Sequence, residues 1–318
     1  MKALVTGASG FSGSHLVKAL VARGDMVIAY VRSSSSLERL VDLPITYVYG
    51  DITDEAALTQ AMAGVDTVFH TAAYVELGLV DAERMAQVNV VGTQAVLNAA
   101  QTAKVKKMVH CSTIGIFGNT QGQVVDETFQ RTQSDFSSAY DRTKYLAQQA
   151  VDEAARHGLD VVSILPSGIF GPDDPHFGPV LQTFLQGRLK VWAGGERITG
   201  IVHVDDLAVA MILAAERGKP GEHYIISTGE LSTREMFRHF SQQVNIPVPA
   251  EAPELLVRTL GFLLDLVGRL LKWQPPLSRE RVHYIYDRCV RVDGRKAREI
   301  LGWNPRSVEE TLQTLLPS

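Results

Sequence analysis

Tyr140 and Lys144 stand four residues apart in Tyr140-Asp-Arg-Thr-Lys144. On a helix that spacing puts a phenol and an ammonium on one face. A free phenol titrates near pH ~10. A neighbouring ammonium, together with an oxidised nicotinamide, favours the phenolate and lowers that value. Such a phenol can pass a proton to a carbonyl oxygen or take one from an alcohol. Upstream, the apolar run Lys107 to Cys111 reads as a strand and ends in Ser112-Thr113. A hydroxyl at the carboxyl end of a parallel strand faces the crevice where such sheets bind ligands, and can polarise the same oxygen.

The N-terminal segment supplies a place for a dinucleotide. A strand, Lys2 to Thr6, runs into Gly7-Ala-Ser9-Gly10-Phe11-Ser12-Gly13. Glycines at this spacing let the backbone approach a pyrophosphate, and the helix that follows offers free N–H groups and the positive end of its dipole. Asp51-Ile52 follows the third strand. The carboxylate there suits an adenine amino group, and Ile52 can pack on the ring. Where an NAD site usually places an acid, at the end of the second strand, this chain has Val31 then Arg32. A guanidinium grips a 2′-phosphate, so NADP is the expected cofactor, with NAD the alternative. Facing the nicotinamide, Lys144 would also hold the ribose.

The elements that position these residues alternate. Strands are predicted at Met26 to Val31, Thr46 to Tyr49, Thr67 to His70 and Val161 to Leu165. Helices are predicted at Phe11 to Arg23, Asp54 to Ala63, Ala82 to Ala103 and Ser138 to His157, the first stopped by Gly24. Apolar strands alternating with helices imply an α/β fold with a doubly wound parallel sheet. Residues 1–165 are expected to form the dinucleotide-binding domain, with 201–228 returning to it. Residues 166–200 and 229–318 are expected to form a smaller, mostly helical substrate-binding lobe. His203 to Glu216 reads as strand end then helix, with Asp205 and Asp206 as its caps.

Composition narrows the partners. Hydrophobic residues make up 45% and charged residues 21%, with a net charge of −4 and no basic block, which argues against nucleic acid. The two cysteines and nine histidines form no metal-ligand pattern. Cysteine usage and the lack of an apolar leader fit the cytoplasm. Leu255 to Leu271 is short for a membrane span and carries Arg258, Asp265 and Arg269 on one stripe beside Gly261 and Gly268. It reads as a helix packed on the body, with peripheral membrane contact as the sharper alternative.

Taken together these features resemble the extended short-chain dehydrogenase/reductase family, whose nucleotide domain is of Rossmann type. The resemblance rests on Thr6 to Gly13, Gly50-Asp-Ile52, His70-Thr71-Ala72-Ala73, Asn89-Val-Val-Gly-Thr93, Ser112-Thr113, Tyr140 to Lys144, Pro166-Ser-Gly-Ile169-Phe-Gly-Pro172, His203-Val-Asp-Asp206 and Leu301-Gly-Trp-Asn-Pro305. It spans nearly the whole chain. It implies Tyr140 as acid/base, Lys144 as its partner, Thr113 at the Ser/Thr position with Ser112 as substitute, and Thr71, Ala72, Ala73, Pro166 and Ile169 beside the cofactor. A homodimer through the 82–103 and 138–157 helices is likewise implied. The chain looks closest to dihydroflavonol-reductase-like, 3β-hydroxysteroid-dehydrogenase-like and hopanoid-associated epimerase-like members. Ile114-Gly115 replaces the Asp-Glu that dehydratases carry after the Thr, and Thr199-Gly200 replaces the Arg-Asp of sugar-nucleotide epimerases. The expected activity is NAD(P)-dependent reduction of a carbonyl, or oxidation of a secondary alcohol, on a small, partly apolar substrate. A sugar-nucleotide epimerase and a non-catalytic NADP-binding sensor or assembly protein are the alternatives.

Overall fold

A computed structural model describes residues 1–317 except Val80. The nucleotide-binding half comprises β1 (Lys2–Thr6), α1 (Phe11–Ala22), β2 (Met26–Val31), β3 (Thr46–Tyr49), α2 (Glu55–Ala61), β4 (Thr67–His70), α3 (Ala82–Ala86), α4 (Gly92–Thr102), β5 (Lys107–Cys111), β6 (Val124–Val125), α5 (Ala139–Arg156) and β7 (Val161–Pro166). The remainder adds β8 (Gly168–Phe170), α6 (Gly178–Leu185), β9 (Val191–Trp192), β10 (Ile198–His203), α7 (Val204–Arg217), β11 (His223–Ile226), β12 (Gly229–Ser232) and α8 (Thr233–Val244). Last come β13 (Ala250–Glu251), α9 (Glu254–Leu271), α10 (Arg279–Tyr286), β14 (Arg291–Val292) and α11 (Val308–Gln313).

Seven parallel strands form the main sheet in the order β11-β7-β5-β4-β1-β2-β3. Side chains of β1 alternate, so Ala3 and Val5 enter one core while Leu4 enters the other. The first core is closed by α1, α7 and Trp303; the second by α2, α4 and α5. The chain reverses its direction of winding between β1 and β4, and a crevice therefore opens beyond their carboxyl ends.

The Ala82 to Ala103 helix is continuous but widens into a π turn at Gln87–Val91, between α3 and α4. Strand β10 leaves the main sheet to pair with β8 and β12, whereas α7 lies over the main sheet and β11 is its edge strand. A third core, with Phe184, Phe237 and Phe240 at its centre, fills the second lobe. Helix α7 corrects one expectation. Its cap is His203, whose Nδ1 accepts from the Asp205 amide at 3.1 Å. The two acids instead tie the helix outward: Asp205 to His15 at 2.6 Å and Asp206 to Arg306 at 2.6 Å.

His70 and His110, on adjacent strands, are buried with ring centroids 5.3 Å apart. His70 meets Thr6 Oγ1 and Thr93 Oγ1, while neither ring nitrogen of His110 has a partner. Burial, and secondly the Lys144 charge, lowers His70 to about 3, and His110 is lowered in the same way. Unfolded histidine takes up a proton below about pH 6.5, and the native rings refuse it. Stability present above that pH is therefore lost as pH falls, for His70 down to its own pKa of about 3 at about 1.4 kcal/mol per unit, and His110 adds a loss of the same sign. His110→Phe should give a shallower decline in chemical-denaturation stability between pH 7 and 5; an unchanged slope would refute this account.

Candidate active site

The glycine loop sits where strand β1 and the loop after β4 touch. Gly7 has φ +69°, and a Cβ there would lie 2.6 Å from the Ala72 amide nitrogen. A methyl group on Gly13 would collide with the Gly7 carbonyl. Thr71 Oγ1 donates to the Thr6 carbonyl at 2.7 Å, and the Ala72 amide donates to Thr6 Oγ1. Gly10 caps α1 with no side-chain hydrogen bond, and no acid stands in the first turn. Amides of Phe11, Ser12 and Gly13 thus begin the helix unopposed, beside Ser9. This loop, whose close packing on β1 and the loop after β4 tolerates no side chain at Gly7 or Gly13, leaves the first amides of α1 unopposed and fits a pyrophosphate.

Asp51 accepts from the Thr53 amide at 2.9 Å and from Thr53 Oγ1 at 2.6 Å, all through Oδ1. Those bonds hold its carboxyl below the usual range and leave Oδ2 free of them. Ile52 is buried and packs against Gly92 on α4. Arg32 is exposed at the end of β2. A cation that sequence reasoning did not single out, Arg39, lies 5.7 Å from the Phe11 ring centroid and donates to the Asp173 carbonyl. Pro166 ends β7, and Ile169 lies in β8 opposite Val202 of β10.

Helix α5 starts at Ser138, whose hydroxyl accepts from the Asp141 amide at 3.0 Å. Tyr140 is therefore in its first turn and Lys144 one turn on. Lys144 Nζ donates to the Cys111 carbonyl at the end of β5, at 2.7 Å, and burial lowers its pKa to about 8. The Tyr140 pKa lies above its ordinary value in the protein alone, whereas the lowering expected from the sequence is that of an ammonium and an oxidised nicotinamide together. Burial first, then the Asp141 carboxylate, raises it, while the Lys144 ammonium is turned toward Cys111. That direction favours the protonated phenol. Thr113 Oγ1 accepts from the Gly115 amide at 3.1 Å, which leaves its own hydrogen to be given elsewhere. Ser112 Oγ is buried without a partner.

Several residues brought to this site carry no local sequence signal. Asp141 is buried in an ion pair with Arg288 at 2.9 Å. Tyr284 lies between two guanidiniums, Arg197 and Arg288, each 4.6 Å from its ring centroid. The Glu280 carboxylate accepts from the amides of Gly78 and Ala139, bridging the loop after β4 to the start of α5. Asn89, at the π turn, accepts from the Tyr74 amide at 2.7 Å and donates to Thr143 Oγ1 at 3.0 Å. Its role is to clamp that same loop to α5.

A doubly wound sheet with a glycine cradle at its switch point and a phenol on the neighbouring helix defines a dinucleotide-dependent enzyme. The chain belongs to the family described as NAD dependent epimerase/dehydratase, which it matches over residues 3–227. It is an NAD(P)-dependent oxidoreductase of the extended short-chain dehydrogenase/reductase type. It is 31% identical to "Sterol demethylase protein B" of Methylococcus capsulatus over 313 residues, 96% of this chain and 94% of that one. It is 34% identical to the 4-hydroxy-2-methyl-3-oxo-4-farnesyl-3,4-dihydroquinoline-1-oxide ketoreductase of Stigmatella aurantiaca, covering 96% and 92%. Among solved structures, DesIV, a dTDP-glucose 4,6-dehydratase from Streptomyces venezuelae with NAD and TYD bound, superposes with a TM-score of 0.80. Its identity is 26%, over 99% of this chain and 96% of that one.

Proposed function

We propose that this enzyme reduces a carbonyl to a secondary alcohol on a small, partly apolar substrate, with Tyr140 as proton donor. The reading is carried by the Tyr140 phenol, which burial keeps protonated at the start of α5, together with the Thr113 hydroxyl at the end of β5, which still has its hydrogen to give. When bound, the reduced dinucleotide supplies the hydride to the carbonyl carbon. Tyr140 gives its proton to the oxygen, Thr113 donates a hydrogen bond to that oxygen, and Ser112 stands by as a second donor. Lys144, already an ammonium donor at the Cys111 carbonyl, holds the ribose, and the Arg288 guanidinium, whose charge favours the phenolate, steadies the charge left on Tyr140. Residues Ser9 to Gly13 hold the pyrophosphate, with Thr71 to Ala73, Pro166 and Ile169 along the rest of the cofactor. Residues 166–200 and 229–318 select the substrate. The enzyme works in the cytoplasm, where Cys111 and Cys289 stay thiols, as a homodimer through the 82–103 and 138–157 helices, the first of which exposes Val91.

Sugar-nucleotide epimerisation is the second reading, favoured by one observation. Arg197 forms no carboxylate ion pair among the described residues and burial lowers its pKa, as for a cation awaiting an anionic group. Thr199 and Gly200, however, are consumed in the β10–β12 pairing, and Arg291 is held by Glu230. Deuterium-labelled NADPH offered with ketones, aldehydes and UDP-sugars separates the readings. Stoichiometric transfer of the label into an alcohol is expected. Interconversion of a UDP-sugar without net cofactor consumption, with NAD copurifying, would overturn the reductase reading.

NADP preference rests on Arg32, with Arg39 close to the same loop. Arg32→Asp is expected to weaken NADPH binding by about 10–100-fold, the worth of a charge-assisted contact, with NADH binding little changed. Isothermal titration checks this; tighter NADH than NADPH binding by the parent would refute the preference.

A further inference from the structure

Helix α9 is built inside out. Its buried positions are Val257, Gly261, Asp265 and Gly268. Gly261 meets Val282 of α10, and Gly268 meets Leu79 and Pro275. Asp265, only 2% exposed, is neutralised by Arg269 at 2.7 Å and accepts from the Arg279 amide. The apolar face turns outward. Leu255, Leu270 and Leu271 are 79%, 75% and 70% exposed, and Phe262, Leu263 and Leu266 continue the face. At about 100° per residue these positions span roughly half the circumference. Such a surface exceeds the scattered apolar residues of an ordinary monomer.

The chemistry of the arc selects its occupant. Its one polar side chain, Thr259, donates to the Leu255 carbonyl at 2.8 Å, so the arc offers no unsatisfied donor. Cations border it: Arg269 and Arg279 are more than half exposed, and Lys272 and Trp273 follow the helix. Residues 254–287 hold five cations (Arg258, Arg269, Lys272, Arg279, Arg281) against four acids (Glu254, Asp265, Glu280, Asp287), in a chain of net charge −4; Arg258 is held by Glu254 and Asp287, and among the described residues Lys272 and Arg281 meet no carboxylate. Asp265 is buried, and Glu280 is turned inward to backbone amides. Among the described residues no helix is long and apolar enough to cross a membrane. An apolar arc rimmed by cations and a tryptophan suits the surface of an anionic bilayer.

We infer that α9 seats the enzyme on an anionic lipid surface. It packs on α10, whose Glu280 reaches the loop after β4 and the start of α5, and whose Tyr284 lies by Arg288 and Tyr140. The site thus stands one helix away from the lipid. Resting on the reductase reading, this makes the substrate a membrane-dissolved carbonyl compound, delivered from the bilayer.

Flotation with phosphatidylcholine vesicles, with and without about one-third phosphatidylglycerol, tests the inference. The full chain should float with the anionic vesicles and much less with the neutral ones. The double variant Leu266→Glu, Leu270→Glu should lose at least about tenfold in bound fraction, with NADPH affinity unchanged as the control for folding. Failure of the parent to float, or equal flotation of the variant, overturns the inference. So does light scattering that shows a dimer dissociated by the same double variant, which would assign the arc to a second copy. Flotation needs no turnover: vesicle binding without carbonyl reduction would refute the reductase reading and leave the membrane seat standing.

Discussion

Tyr140→Phe is expected to lower turnover by about 10²–10⁴-fold, the usual worth of a positioned general acid, while NADPH binds as before. The ring itself fills the same space, so packing at the first turn of α5 is kept. What is lost is the only ionisable proton on that side chain. Because burial and Asp141 hold the phenol protonated, the loss should be nearly constant from pH 6 to 8 in the direction of reduction. Steady-state assay alongside titration with NADPH makes the comparison. Retained turnover would remove Tyr140 from the chemistry.

The second large effect concerns the cradle. Gly13→Val should abolish dinucleotide binding. A side chain there collides with the Gly7 carbonyl and comes 2.9 Å from Thr71 Oγ1, which forces the start of α1 away from the glycine loop and spoils the backbone cradle. The parent, with cofactor at about 100 times its dissociation constant, gains about 2.7 kcal/mol. For a chain of this size that gain raises Tm by several degrees. The variant should show no cofactor-induced rise, although its circular dichroism still reports a folded sheet. A preserved thermal shift would mean the dinucleotide lies elsewhere.

Much of this was legible in the sequence. Strands β1 to β5, the glycine loop and the Tyr140–Lys144 spacing follow from local patterns, since period-2 burial and a four-residue helical step are written in neighbouring residues. What escaped depends on distant partners. Strands β9 and β13 are two residues long, below any periodic signal. No spacing rule joins Asp141 to Arg288 across 147 residues, or Ala139 to Glu280 across 141. The cap of α7 went to His203 because an imidazole two residues ahead reaches the amide that the acids were expected to serve. For α9 the stripe was visible but its direction was not. Glycines admit a neighbouring helix, and a paired carboxylate can be buried, so the charged stripe could face inward.

The Asp141–Arg288 pair also sets an order of assembly. A nascent chain that has released only its first half already carries the phenol, the ammonium and every glycine of the cradle. It lacks the counter-cation for a carboxylate that the finished fold seals away, a deficit of about 3–5 kcal/mol. Synthesis must therefore run nearly to its end before the machinery can work. Dividing the gene after α5 also removes β7, β11 and α7 from the main sheet and its first core, and is expected to yield an inert fragment, revived only by supplying the other piece in trans.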